Sequence, residues 1–411
     1  MDSADPQVSL GDDLRRVGRA AGLDAMGFAE AAPFVDTRTV IERRRTDGLA
    51  AGMQFTYRNP ARSTDPGRAL PGARSLVVGA RRYLRQSPAG SGGHQPSPAG
   101  GGQRPVGRVA RYSWVDHYEP LRRALAAVAG RLEGDGWRAT VLVDDNALVD
   151  REAARRAGLG WYGKNTNLLL PGKGSWFVLG TVITDAPLAA AETVADGCGT
   201  CERCLAACPT GALVAPGVLD ARRCLAWLVQ APGVFPTEYR VALGDRMYGC
   251  DDCQDVCPVN RRAARSDPPG EAELGAEPDV DALWVLGASD SELLARYGRW
   301  YIPRRQPRHL RRNALLVIGN GSDPDDPAVL AALGAALGDI DPLVRAHAVW
   351  AVARLGHPEM LEAVAEDPDP LVGAELAGVD GVAPRRHLRS EVSGSGQRVR
   401  YRRGGRPFPR P

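Results

Sequence analysis

Lysine is almost missing from this chain of 411 residues: Lys164 and Lys173 are the only two, and arginine carries the rest of the basic charge. That bias points to a GC-rich genome and to no particular activity. A strong overall charge is missing too. The formal net charge is +3, although arginines gather after residue 296. No apolar run reaches the ~20 residues of a membrane span. Arg15-Arg16 is followed by no continuous apolar segment over 17–34, so the twin-arginine export pattern is not met. Cysteine is missing before residue 198 and after residue 257, and nothing marks the chain as a secreted disulfide framework. The expected location is the cytoplasm, away from membranes, where thiolates persist as ligands. With 44% hydrophobic and 25% charged residues the composition is that of a globular protein. The length allows two or three domains and a sizeable core.

What the chain does have is concentrated between Cys198 and Pro258, which hold all eight cysteines. Cys198, Cys201, Cys204 and Cys208 stand as C-x2-C-x2-C-x3-C, with Pro209 next. In the bacterial ferredoxin run, three such thiolates hold one [4Fe–4S] cube and the fourth reaches a second cube. Cys250, Cys253 and Cys257, followed by Pro258, repeat the run at an offset of 49 residues without its leading cysteine. Met247 stands at the vacant position, and Cys224 is the one cysteine left to fill it. The count assigns one cube to Cys198, Cys201, Cys204 and Cys257, and the other to Cys208, Cys224, Cys250 and Cys253. Zinc sites also use C-x2-C pairs, but the third cysteine two residues on and the paired Cys-Pro ends favour iron–sulfur. Two adjacent cubes each pass one electron, so the segment is a two-electron wire.

Around this segment the pattern changes twice. Residues 10–30 read as an amphipathic helix (Leu14, Val17, Ala20, Leu23) leading into the short run Ala25–Ala29. Leu76–Ala80 reads as a buried strand after the Pro71-Gly72 turn, Pro120–Glu133 as a helix, and Ala139–Val143 as a strand that delivers Asp144 and Asp145. Ser87 to Gln103 is rich in Gly, Ser and Pro and reads as a flexible loop. Behind the cysteines, Val280–Tyr297 begins a helical region. Leu310–Gly319, Pro327–Leu337, Pro342–Leu355 and Met360–Ala365 follow as short helices. Asp-Pro recurs between them, at Asp323, Asp326, Asp341, Asp367 and Asp369, in the manner of HEAT-type repeats. Gly158, Gly160 and Gly163 spell G-x-G-x-x-G, and Lys164 nearly completes a phosphate loop. Both readings fail on context. A dinucleotide turn follows a strand and opens a helix, whereas Arg151–Ala157 is itself helical and Gly158 reads as its C-terminal cap. Asn165 stands where a phosphate loop needs Ser or Thr.

These features together resemble the epoxyqueuosine reductase family. The matching segments are Ala157-Gly-Leu-Gly-Trp-Tyr-Gly-Lys-Asn-Thr166, Gly174-Ser-Trp-Phe-Val-Leu-Gly180, Cys208-Pro-Thr-Gly-Ala-Leu213, Leu219-Asp-Ala-Arg-Arg-Cys224 and Tyr248-Gly-Cys-Asp-Asp-Cys-Gln-Asp-Val-Cys-Pro-Val-Asn260. The resemblance implies a cytoplasmic oxidoreductase that uses cobalamin and two [4Fe–4S] clusters to reduce the epoxide of a tRNA base to an alkene. It implies an α+β multidomain fold: an N-terminal α/β cobalamin-binding domain over 1–190 with its loop at 87–105, a ferredoxin-like domain over 191–265, an all-α HEAT-like repeat over 280–375 and an Arg-rich tail over 381–411. It implies Asp144 as the proton donor, in the place of the family's V-D-[ST] aspartate. A carboxyl at a strand end beside an apolar corrinoid is raised by desolvation, which suits a general acid. Residues implied to line the cobalamin are Arg62, Asp144, Lys164, Asn165, Leu168, Ser175, Ala226 and Asp251.

The chain departs from the family in three places. Asp145 puts a second carboxylate beside Asp144, so either could be the acid. Leu225-Ala-Trp-Leu-Val-Gln230 follows Cys224 where the family has Ser-Tyr-Leu-Thr-Ile-Glu, and Asp116-His-Tyr118 replaces Asp-Tyr-His. Seven arginines between Arg296 and Arg312 interleave with Tyr297, Trp300 and Tyr301, and nine more follow Pro384 against one acid, Glu391. Arginine neutralises phosphate and stacks on bases, and aromatics stack on unpaired ones. The expected partner is therefore a tRNA anticodon stem-loop, met by Arg299, Arg304, Arg305 and Arg308. A low-potential electron donor of the ferredoxin or flavodoxin type is the second partner, and the enzyme is expected to be a monomer. Two rivals stand beside this reading. One is a reductive dehalogenase-like enzyme acting on a small organohalide. The other is a plain electron carrier, which leaves the first ~190 residues without a purpose.

Overall fold

The computed structural model describes residues 9–87 and 105–384. Most of the loop expected over 87–105 and of the tail expected over 381–411 lies outside the described residues. The N-terminal part is built on a four-stranded sheet in the order Ala25–Glu30, Ser75–Arg82, Phe177–Thr184, Ala139–Val143, and every neighbouring pair is antiparallel. Leu76, Val77, Val78 and Ala80 are fully buried because both faces of the sheet are covered. On one face Leu14, Leu121, Leu125 and Val128, from the helices Leu10–Ala20 and Tyr118–Gly134, pack on Val77 and Val182. On the other face Ala153 and Ala154, from the helix Asp150–Arg156, pack with Leu148 on Leu76, Val78 and Ile183. The layers are α/β/α, as a chain of alternating helices and strands favours. Gly180 is required at the sheet centre, since a Cβ there would stand 2.7 Å from Leu125 Cδ1 and 2.9 Å from Val143 Cγ2.

The helix expected to run through Leu23 into the short run Ala25–Ala29 is shorter. It ends at Ala20, the chain turns through Gly22 in the left-handed region, and Ala25–Glu30 is an edge strand. Leu23 keeps its buried place from the turn. The G-x-G-x-x-G segment has the geometry of a helix end: Gly158 has φ +70°, its N–H donates to Arg155 O (3.1 Å), and Leu159 N–H donates to Ala154 O (3.0 Å). That is a Schellman C-cap. Gly160 then passes so close to Leu169 O that a Cβ would lie 2.1 Å from it.

The cysteine-bearing segment has only short elements. It is tied into the molecule by a second sheet, in which Val106–Val109 pairs parallel with Arg246–Tyr248 and antiparallel with Asp279–Asp281. The C-terminal helices Arg308–Gly321, Pro327–Leu337, Pro342–Leu355 and Pro370–Ala377 follow. Asp326, Asp341 and Asp369 cap the last three through their carboxylates, each with proline in the first turn. The Asp-Pro recurrence is therefore a capping signal. Met360–Ala365 is a 3-10 turn, Pro358–Val364. Among the described residues no helix is long and apolar enough to cross a membrane.

Candidate active site

A cavity of about 330 Å³ lies where the first sheet meets the cysteine segment. One wall carries Cys208, Cys224, Cys250 and Cys253, all four ligands assigned to one cube. Tyr83, Tyr112 and Tyr118 also line it. Cys198, Cys201, Cys204 and Cys257 do not line it. All eight thiols are free. Burial raises the Cys224 thiol, with Cys208 adding to the rise. Cys253 is raised well above its ordinary value by burial and then by Cys250, Cys224 and Cys208. Cys204 is raised by burial, and Cys257 and Cys198 add to it. These mutual influences fall inside the two quartets counted from the sequence. Among the described residues no three ligating side chains close on a single ion, and the thiolates around an iron–sulfur cube stand farther apart than those around one zinc. Buried thiols that would otherwise hold their protons fit a multiply charged iron core, which deprotonates its ligands. Ala212 N–H donates to Cys208 Sγ (3.2 Å), a contact of the kind that tunes cluster potential.

Five of the residues expected to line cobalamin meet in this cavity: Asn165, Leu168, Ser175, Ala226 and Asp251. Several of their polar groups are already engaged. Asn165 Nδ2 donates to Cys253 O (3.3 Å). Ser175 Oγ donates to Gln254 Oε1 (2.9 Å) and accepts from Asn260 Nδ2 (2.9 Å). Asp251 Oδ2 accepts from the Arg111 backbone N–H (2.9 Å) and guanidinium (3.1 Å), while burial pushes its carboxyl up against that pull. Lys164 and Arg62 are not brought to the cavity. Lys164 Nζ lies 3.8 Å from Glu202, and Arg62 sits in the short helix Pro60–Ser63.

Asp144 ends the strand Ala139–Val143 with φ +53°, a conformation that non-glycine residues adopt at a cost. Desolvation raises its carboxyl, Arg122 opposes this, and Asp145 adds to it. Its own surface is open to solvent while protein crowds the site around it. Asp144 therefore stands at a rim, exposed itself and partly desolvated by its surroundings. Asp144 itself does not line the cavity, but Tyr118 does, and after burial Asp144 is the largest influence raising the Tyr118 phenol. Asp145 is engaged differently, since Oδ1 accepts from Ala147 N–H (2.7 Å) and shapes the turn. Asp150 was not singled out from the sequence. Its carboxyl is raised well above the ordinary range, by burial first and by Asp144 second.

The arginines expected to meet RNA are not equivalent. Arg299 donates to Ser113 O (3.0 Å) and Trp114 O (3.1 Å) and lies over Trp300. Arg308 donates to Asp341 (3.3 Å), and Arg305 to Gly298 O (3.2 Å). Arg304 is exposed, and both it and Arg305 have left-handed φ, +52° and +53°. Tyr301 meets Phe55 in a tilted contact, their centroids 5.2 Å apart, and Phe55 meets Trp227 edge to face, next in sequence to the cavity residue Ala226.

Comparison with known proteins agrees with this geometry. Residues 197–260 match a 4Fe-4S double cluster binding domain, and residues 303–377 match HEAT repeats. Epoxyqueuosine reductase of Bacillus cereus is 32% identical over 364 residues, covering 86% of this chain and 91% of the relative. The Xanthomonas campestris enzyme is 34% identical over 350 residues, covering 84% and 95%. A crystal structure of epoxyqueuosine reductase with a tRNA-Tyr epoxyqueuosine-modified stem loop superposes with a TM-score of 0.80 at 30% identity, over 91% of this chain and 98% of that one. The Bacillus subtilis enzyme, with its catalytic aspartate loop swung out of the active site, superposes with 0.80 at 29%, over the same shares. The two-cluster segment, the HEAT repeats and this similarity along nearly the whole length place the chain in the epoxyqueuosine reductase family, a family of oxidoreductases.

Proposed function

We propose that this protein reduces epoxyqueuosine to queuosine within a tRNA anticodon stem-loop, with cobalamin as the cofactor of the cavity and Asp144 as the proton donor. The observation that carries the proposal is the cavity itself, whose lining holds the whole quartet Cys208, Cys224, Cys250 and Cys253 together with Tyr118, a residue within electrostatic reach of Asp144. Opening the epoxide to an alkene breaks two C–O bonds and consumes two electrons and two protons, releasing water. The two quartets are the means of holding two one-electron centres. Cobalamin, when bound, supplies a nucleophilic metal centre. Leu168, Leu170, Leu213, Leu219, Leu225 and Ala226 give the cavity an apolar lining suited to a corrinoid's edge.

The chain's own contribution is to hold protons where the oxygen departs. Asp144, raised by desolvation, keeps a larger protonated fraction near neutral pH than a free aspartate would. Burial first and Asp144 second raise the Asp150 carboxyl well above its ordinary range, which opposes placing two full negative charges together. The related enzyme with its aspartate loop swung out supports a rim residue that moves inward. Asp145 is bound into the turn, which favours Asp144 as the acid. The domain limits given above remain part of this proposal, as do the RNA contact at Arg304 and the monomeric state. The test is anaerobic turnover of an epoxyqueuosine-containing stem loop. Asp144→Asn should lose about 100-fold or more in rate and Asp145→Asn should stay within a few-fold of wild type. The reverse pattern would reassign the acid.

A further inference from the structure

The helix Pro258–Ser266 starts at the last cysteine of the quartet that does not open into the cavity. Cys257 is its N-cap, and Arg261 N–H donates to the Cys257 carbonyl (3.0 Å). Asn260 and Ala263 are its buried face, and Arg261, Arg262 and Arg265 are exposed on the other. The carboxylates nearby are already matched. Asp255 lies 2.8 Å from Arg111, and Asp267 lies 2.9 Å from Arg82. In the loop of the same quartet, Asp196 accepts from Cys198 N–H (2.8 Å) and Glu202 faces Lys164. Arg261 Nε donates to a neutral acceptor, Asp255 O (2.8 Å), and among the described residues no ion pair takes up Arg262 or Arg265. Three unmatched positive charges therefore lie within about three turns of helix from a ligand of the outer cube.

We propose that this arginine face is the docking surface for a small, acidic, one-electron carrier protein. The inference rests on the iron–sulfur reading given under Proposed function. A carrier docked there delivers one electron to the outer quartet: its own cofactor is oxidised by one electron, one cube is reduced by one, and no covalent bond forms or breaks. Clustered charge of one sign raises encounter rates with an oppositely charged partner and makes them sensitive to salt. An RNA contact is the competing use of such a face. The cavity expected to receive the modified base, however, belongs to the other quartet, which leaves this helix on the entry side of the wire.

The experiment uses full-length, cluster-loaded protein and a reduced flavodoxin as the probe, without tRNA. Cube reduction is followed by visible absorbance, and flavodoxin binding by calorimetry. For Arg262→Glu/Arg265→Glu, flavodoxin-driven reduction at low salt should slow about tenfold or more and binding should weaken in parallel. Reduction by dithionite and iron content should stay at wild-type levels, and Arg262→Lys/Arg265→Lys should keep the wild-type rate. Wild-type reduction should slow with added salt, and the charge-reversed variant should respond less. Equal flavodoxin rates and affinities in wild type and the charge-reversed variant overturn the proposal. So does a loss confined to tRNA stem-loop affinity, which assigns the face to RNA. If wild type binds no iron, the cofactor reading fails on its own, and calorimetry still reports whether the arginines hold the carrier.

Discussion

Arg312 offers a sharp test of how the HEAT-like helices support the active site. It is fully buried on the helix Arg308–Gly321 and acts as a clamp on the segment after Cys224. Nη1 donates to Ala231 O and Gly233 O, both at 2.7 Å, and Nη2 to Leu228 O (3.1 Å) and Val229 O (3.2 Å). Asn313 Oδ1 accepts from Nε (3.1 Å) and Nη2 (2.9 Å). Burial, with Arg240 nearby, pushes the guanidinium down to about 9, which leaves it charged at neutral pH. Arg312→Met would leave the Ala231 and Gly233 carbonyls and Asn313 Oδ1 without a donor, whereas Leu228 O and Val229 O keep Ala231 N–H and Asn313 Nδ2; each acceptor left buried and unmet costs about 1–3 kcal/mol. Relief of burying a cation offsets several kcal/mol of that. The net loss expected is on the order of 3 kcal/mol, since three buried acceptors lose their donors while no charge is left stranded. The segment 228–233 continues from Cys224 and Ala226, so the inner cube should loosen as well. Thermal unfolding under anaerobic conditions and hydrogen exchange over 226–235 check the first effect, and iron retention checks the second. A variant with wild-type melting, protection and iron would refute the clamp.

Two further predictions concern charge. Arg304→Ala should weaken stem-loop binding and lower the salt slope of log K by about one unit, whereas Arg299→Ala should act mainly on stability, because Arg299 is spent on Ser113 and Trp114; filter binding at several salt concentrations separates them. His117 and His309 are pushed down by burial to about 4, and His347 lies well below its ordinary value for the same reason. The unfolded chain takes up protons below about 6.5 that these imidazoles refuse. Stability is therefore intact above that pH and falls on acidification toward 4, by about 1.4 kcal/mol per unit for each group. Apo-protein denaturation across that range should show it, and a flat profile would contradict the burial.

Much of the cysteine chemistry was legible in the sequence because ligand spacing is local and countable. The two proposed quartets rest on the 49-residue offset and the single leftover Cys224, and the sulfurs that influence Cys204, Cys224 and Cys253 come from within the same proposed quartet. The HEAT-like helices were legible because Asp-Pro caps announce helix starts. The first sheet was harder. Phe177–Thr184, a central strand, carries glycine at its middle, and its pairing partners lie far away in sequence. The residues expected to face cobalamin divided for a similar reason. Asn165, Leu168, Ser175, Ala226 and Asp251 gather only when the sheet, the glycine segment and the cysteine loop pack together. Lys164 sits one residue from Asn165 yet turns toward Glu202. Asp150 showed itself only through burial, which no local pattern encodes.

The most direct measurement of the central claim is single turnover of an epoxyqueuosine stem loop by the reduced wild-type enzyme, with and without cobalamin, read by nucleoside mass spectrometry. Loss of one oxygen atom from the modified base, two electrons consumed per product and no product without cobalamin are the expected results. An unchanged epoxide with both clusters and cobalamin loaded, or full conversion without cobalamin, would contradict it.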